Sequence, residues 1–243
     1  MVCALQSVNI VSKSATAPFS AEVRKYIFDF FEDHAFAPVL EQIMRKFNLD
    51  RLKAFKALVE LESAHHILLV PGTQRILMAW PFSSIVTPFR VRVTDSRQKE
   101  YFANCAWDAV AFHVMLRKEQ WIDSFCHHCA EDISIHLRDQ GEVSSHPSED
   151  PLVFLSLPVS KWWENILLTC SNNMVFFSSH DHLEEWRKSQ RSSDGQALTV
   201  EQTLRLSVPI YETKMNLDYS RPSKEETMAH FKSLGLVGDF WKL

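Results

Sequence analysis

From Ser20 onward, apolar positions recur at helical spacing. Val23, Ile27, Phe30 and Phe31 fall on one face and predict a first helix. Pro38 suits the first position of a second helix, VLEQIMRKF, because proline is tolerated where no intrahelical N–H is needed. Asn48 and Asp50 break and restart the chain, and RLKAFKALVELESAHHI reads as a third helix. ILLV, a Pro71-Gly72 turn and RILMAWPF then read as a β-hairpin. Three helices and a hairpin form a winged-helix pattern, which serves a packing scaffold as readily as a DNA reader. Arg51, Lys53 and Lys56 lie on the third helix, but Glu60 and Glu62 follow them and weaken a DNA-reading face. Residues 1–19 carry no such pattern and read as a flexible arm.

Beyond residue 84 the period changes. IVTPFRVRV alternates as a strand, and DSRQKE is a charged turn. A helix containing Cys105 and Asp108 begins after that turn and runs to about Arg117. ISIHLRDQGEV (133–143) reads as strand and turn, SSHPSED (144–150) as a polar loop, and LVFLSLP (152–158) as an apolar strand. WWENILLTC leads through the turn SNN into the strand MVFF, DHLEEWRKSQ is an exposed helix, and RSSDGQ is a linker. TVEQTLRLSVPIYE is a helix kinked or stopped at Pro209. SKEETMAHFKSLGL closes the chain, with Ser223 and Glu226 at capping-box spacing and Gly235 past its end. The fold class is therefore α+β: a winged-helix-like region over 20–83, then a mixed core with C-terminal helices over 84–243. Trp162, Trp163, Phe176, Phe177 and Trp186 are assigned to the core, and His180 and His182 to the surface where a helix begins, with metal binding as their lesser alternative.

Composition narrows the function. The 243 residues suffice for one large domain or two small ones. A net charge of −4 gives no electrostatic reason to expect nucleic-acid binding. No apolar run approaches the roughly 20 residues of a membrane span. The N-terminus lacks the basic start and sustained apolar core of a secretory signal. With an odd count of 5 cysteines, this points to reduced thiols and a cytoplasmic location. The 5 glycines assemble neither a GxGxxG nor a GxxxxGK[ST] phosphate loop.

The chemistry must then come from thiols. Cys105 and Asp108 stand three apart in FANCAWDAVAF, so a helix presents both on one face. A thiolate near a helix N-terminus has a lowered pKa. A carboxyl among Phe102, Trp107 and Phe112 tends to hold its proton near neutrality. Such a pair binds a soft electrophile at sulfur and delivers a proton from oxygen. FCHHC carries Cys126 and Cys129, half of a zinc knuckle or a redox pair, or a local turn with ordinary cysteines. No second ligand pair follows it at zinc spacing. Cys170 ends ENILLTC beside a polar turn and is accessible enough to join a site. Two classes stay open on these residues: a thiol enzyme or soft-metal protein, and a winged-helix regulator with incidental cysteines.

Together, ILMAWPFS with IVTPFRV, YFANCAWDAVAF, FCHHCAEDISI and TCSNNMVFFSSHDHLEEW resemble the organomercurial (alkylmercury) lyase family over roughly residues 75–190. The helical N-terminal part is similar to the winged-helix-like domain that precedes the family's core. The resemblance implies protonolysis of a carbon–mercury bond, with methylmercury or an arylmercury going to hydrocarbon and Hg(II). By it, Cys105 attacks mercury, Cys170 completes a dithiolate, and Asp108 shuttles the proton and holds the departing Hg(II). Cys126 matches a family cysteine outside this trio and is structural, with Cys129 accessory. No organic cofactor is implied; Hg(II) is the bound product, passed to soluble or protein thiols. Two features depart from the family pattern. CSNNMVFF is one residue longer than the family's segment, which displaces Cys170 or bulges the loop. Asn104 replaces an aromatic residue and so alters the pocket wall. The alternatives are the same scaffold redeployed for another small-molecule lyase or isomerase reaction, or a non-enzymatic winged-helix regulator or metal-binding protein.

Overall fold

A computed structural model describes residues 19–138, 142–147, 150–190 and 194–243. The expected arm, with Cys3, lies outside the described residues except for Phe19, which opens the first helix. Helices α1 (Phe19–His34), α2 (Leu40–Phe47) and α3 (Arg51–Ser63) come in the expected order. Val39 is the N-cap of α2, so Pro38 stands just outside the helix. Asp50 caps α3 by accepting the Lys53 N–H. That helix stops before the two histidines, where His65 turns into the left-handed region. Two of its basic residues are paired: Arg51 with Glu41, and Lys53 with Asp50 at 3.4 Å. The hairpin gains a third strand, giving an antiparallel sheet of β1 (Leu68–Leu69), β2 (Ile76–Ala79) and β3 (Phe82–Ser83).

The second sheet has five antiparallel strands, β4 (Arg90–Val93), β5 (Glu100–Phe102), β6 (Gln120–Phe125), β7 (Asp132–Leu137) and β8 (Val143–His146), in the order β5-β4-β6-β7-β8. In β4, Val91 and Val93 point into the core, while Arg90 and Arg92 point outward to Asp123. Three expectations change in this region. Glu100–Phe102 is a strand, so the Cys105 helix starts later, as α4 (Ala106–Leu116). β6 has no counterpart in the sequence reading. Val143–His146, expected partly as polar loop, is an edge strand whose polar side chains stay partly exposed.

The third sheet places β9 (Leu152–Leu155) between β10 (Met174–Phe177) and β11 (Gln196–Thr199). SNN is the last turn of α5 (Ile166–Asn173) and not a separate turn. α6 (His180–Gln190) follows β10; residues 191–193 of the expected linker lie outside the described residues, and its last residue, Gln196, opens β11. Thr199 caps α7 (Val200–Tyr211) in a capping box with Gln202. Pro209 lies within the last turn of α7 and lacks the N–H that would bond Arg205; the freed Arg205 carbonyl instead faces His230 Nε2 at 3.0 Å. His230 belongs to α8 (Lys224–Ser233), capped by Ser223 and Glu226 as expected.

α4 is apolar on nearly every side and runs through the interior, as an all-round hydrophobic helix must. It packs along α7, where Trp107 Nε1 donates to Ser207 Oγ at 2.8 Å. One core joins the N-terminal helices to the rest: Phe82 stacks on Phe31 and meets Phe112 of α4 edge-on. Buried Arg24 of α1 donates to the carbonyls of Lys214 (2.6 Å) and Asn216, just after α7. Among the described residues, no helix is long and apolar enough to cross a membrane.

Candidate active site

Cys105 is the N-cap of α4, and its sulfur accepts the Asp108 N–H at 3.3 Å. The thiol stands where serine is common because its sulfur meets the same orphan donor. The same sulfur lies 3.3 Å from Asp108 Oδ2, toward which its S–H points. Helix entry thus sets the spacing that sequence placed inside a helix. Cys170, in α5, brings a second sulfur in from the opposite side. The ligand atoms of Cys105, Asp108 and Cys170 all lie within 4.8 Å of one another, and all three residues are buried. Two metal–sulfur bonds of about 2.3 Å laid end to end span about 4.6 Å, so one metal ion can bridge both thiols.

Cys170 keeps its sulfur at the site, and Ser171–Asn173 complete the last turn of α5, where Asn173 donates to the Leu168 carbonyl and accepts from Ser156 Oγ at 2.6 Å. Asn104 does not form the pocket wall. It is buried and donates to the carbonyls of Pro81 and Phe82 at 3.0 and 3.2 Å. Met174 lies beside the thiol instead, its sulfur 3.7 Å from Cys105 Sγ.

The three residues open onto a cavity of about 260 Å³. Trp80, Trp107, Trp162 and Trp163 line it with Ile166, Ile210 and Phe231, so two residues assigned only to the core form its walls. Tyr211 and Lys214 also face it, and sequence reasoning assigned neither. Tyr211 Oη donates to Asp108 Oδ1 at 2.6 Å. Lys214 is buried, with Nζ 4.8 Å from the Tyr211 ring centre.

Burial sets the protonation states. It pushes the Cys105 thiol well above its ordinary range, and neighbouring Cys170 and Asp108 add to the shift. The lowering expected from the helix N-terminus is outweighed by this loss of water. Burial pushes Asp108 up to about 6, against the hydrogen bonds from Tyr211 and Cys105 that favour its anion. Burial also brings Lys214 down to about 7, helped by the charge of Arg221. Near neutral pH the site therefore holds a protonated thiol beside a carboxylate ready to receive its proton.

Cys126 and Cys129 lie elsewhere, in the turn between β6 and β7, and the four described cysteines are all free thiols.

Residues 82–212 match the family model of alkylmercury lyase (MerB). The fold is similar to the crystal structure of the mercury-bound form of MerB2, at 19% identity and a TM-score of 0.65, over 83% of this chain and 94% of that one. A comparison with curated proteins finds no match. The family model spans more than half of the sequence, and the chain belongs to the alkylmercury lyase family of enzymes.

Proposed function

We propose that this enzyme cleaves the carbon–mercury bond of a methylmercury or arylmercury compound by protonolysis, using Cys105, Cys170 and Asp108. The observation that carries this reading is the convergence of two buried thiols and one buried carboxyl on one apolar cavity. Soft sulfur ligands suit a thiophilic metal.

The substrate arrives as R–Hg–X, with X a displaceable thiolate. Cys105 sulfur bonds to mercury as its proton passes to Asp108, and X leaves as an anion. Cys170 sulfur adds next and gives its proton to the departing X, so HX forms. Asp108 then delivers its proton to the carbon, the carbon–mercury bond breaks, and R–H departs. Hg(II) stays between the two thiolates with the Asp108 carboxylate beside it, and soluble thiols or a mercury-accepting protein take it away. No step in this sequence calls on an organic cofactor.

Tyr211 positions the Asp108 carboxylate through its other oxygen. The tryptophan walls exclude water and take the organic group. A cavity of about 150 Å³ accepts benzene, so this one has room for an aryl group and the metal. We read residues 84–243 as the catalytic core and 20–83 as the layer that closes it, and the reduced thiols as fitting the cytoplasm.

Cys105→Ser, Cys170→Ser and Asp108→Ala should each lower hydrocarbon and Hg(II) release from phenylmercury or methylmercury at least a thousandfold. Gas chromatography of the product measures this, and full activity in all three variants would sink the assignment.

A further inference from the structure

We propose that Cys126, Cys129 and His182 form a second metal site, a Cys2His centre for zinc(II) that pins α6 to the turn between β6 and β7. The fold brings these residues together from far apart in sequence. Cys126 and Cys129 leave β6, and His182 lies in the first turn of α6. Their ligand atoms all lie within 4.8 Å of one another. His182 Nδ1 faces both sulfurs, 3.6 Å from Cys126 and 3.5 Å from Cys129. A tetrahedral ion with a metal–sulfur bond of about 2.3 Å and a metal–nitrogen bond of about 2.0–2.1 Å places sulfur and nitrogen about 3.6 Å apart. The nitrogen thus already stands from each sulfur at the separation that such an ion imposes.

The backbone is shaped for it as well. The Ala130 N–H bonds back to the Cys126 carbonyl at 2.8 Å, and Ala130 takes φ 60°, which closes the turn tightly after the second cysteine. The Ser178 hydroxyl lies 2.7 Å from His182 Nδ1. Cys129 is exposed, so the fourth position faces solvent and takes a water. Mixed sulfur and imidazole ligands suit zinc.

This cluster is not the one that carries the proposed lyase chemistry. Met174 beside Cys105 and Ser178 beside His182 stand at opposite ends of β10, about 13 Å apart along the strand.

The test is metal analysis by mass spectrometry of protein made in zinc-supplemented medium and never exposed to mercury. Wild type and Cys105→Ser should each carry about one zinc per chain. Cys129→Ser and His182→Ala, shown folded by circular dichroism, should carry at least tenfold less. A zinc chelator should lower the melting temperature of wild type and leave that of Cys129→Ser unchanged. Wild type without zinc after incubation with an equimolar amount would overturn the proposal, as would zinc that persists in Cys129→Ser and His182→Ala. Loss of zinc in Cys105→Ser alone would also overturn it by moving the metal to the other cluster. Inactivity toward organomercurials in a zinc-loaded protein would count against the lyase reading and not against this one.

Discussion

Asp108 receives hydrogen bonds from the Cys105 thiol and the Tyr211 hydroxyl in a place where burial favours its neutral form. The proposed mechanism needs the anion, which accepts the Cys105 proton. Tyr211→Phe removes a bond that stabilises the anion, so the Asp108 pKa rises further from about 6. The acid limb of the kcat/KM profile should then move to higher pH. A hydrogen bond to a charged group is worth about 1.5–3 kcal/mol, so activity near pH 6 should fall about tenfold or more and recover toward pH 9. A pH–rate profile unchanged from wild type would exclude Tyr211 as the positioning group. The Cys105–Asp108 pair was legible because its spacing is local. Tyr211 was not: it lies 103 positions from Asp108, and in sequence it is one aromatic residue at a helix end. His182 stood out as a minor metal candidate in SHDH, but nothing near it in sequence reveals the two sulfurs of a distant turn.

Elements carry the next level of the account. Helices with strong end signals were read correctly, as the capping box at Ser223 and Glu226 shows. Strands with weak patterns of their own were missed or misread. β6, β8 and β11 owe their state to the ladder beside them more than to their own pattern. The entry to α4 was misread because a cysteine is not a usual cap signal. Cys105 caps this helix as well as facing the cavity, and substitution separates the two roles. Cys105→Ser keeps an oxygen that can accept the Asp108 N–H, so urea unfolding should find its stability close to wild type despite the lost activity. Cys105→Ala loses the cap and should be destabilised by about 1 kcal/mol. Equal stabilities for the serine and alanine variants would show that the sulfur caps nothing.

At the scale of the whole molecule, residues remote in sequence make one chamber, from His65 and Trp80 in the N-terminal part to Leu243 at the last residue. Lys214 lies where these parts meet, beside Tyr211 and under Tyr219 and Phe28, with its own carbonyl bound to Arg24 of α1. Burial costs this ammonium its proton near pH 7 in the folded chain, while the unfolded chain keeps it to about pH 10.4. The unfolded state therefore binds more protons between these values, and stability due to this residue rises with pH across that window. Relative to Lys214→Met, wild type should gain up to about 1.4 kcal/mol per pH unit between pH 7 and 9 in denaturant unfolding. A constant difference between the two proteins would show that Lys214 does not titrate there.

The central claim is that two thiolates from distant parts of the chain hold one mercury with Asp108 beside them. X-ray absorption at the mercury edge, after a single turnover of phenylmercury, tests it most directly. Wild type should show a mercury ion with two sulfur neighbours and no carbon, and Cys170→Ser a mercury with one protein sulfur and its aryl carbon still attached. Mercury still bonded to carbon in wild type, or bound by the sulfurs of Cys126 and Cys129 with the nitrogen of His182, would contradict this.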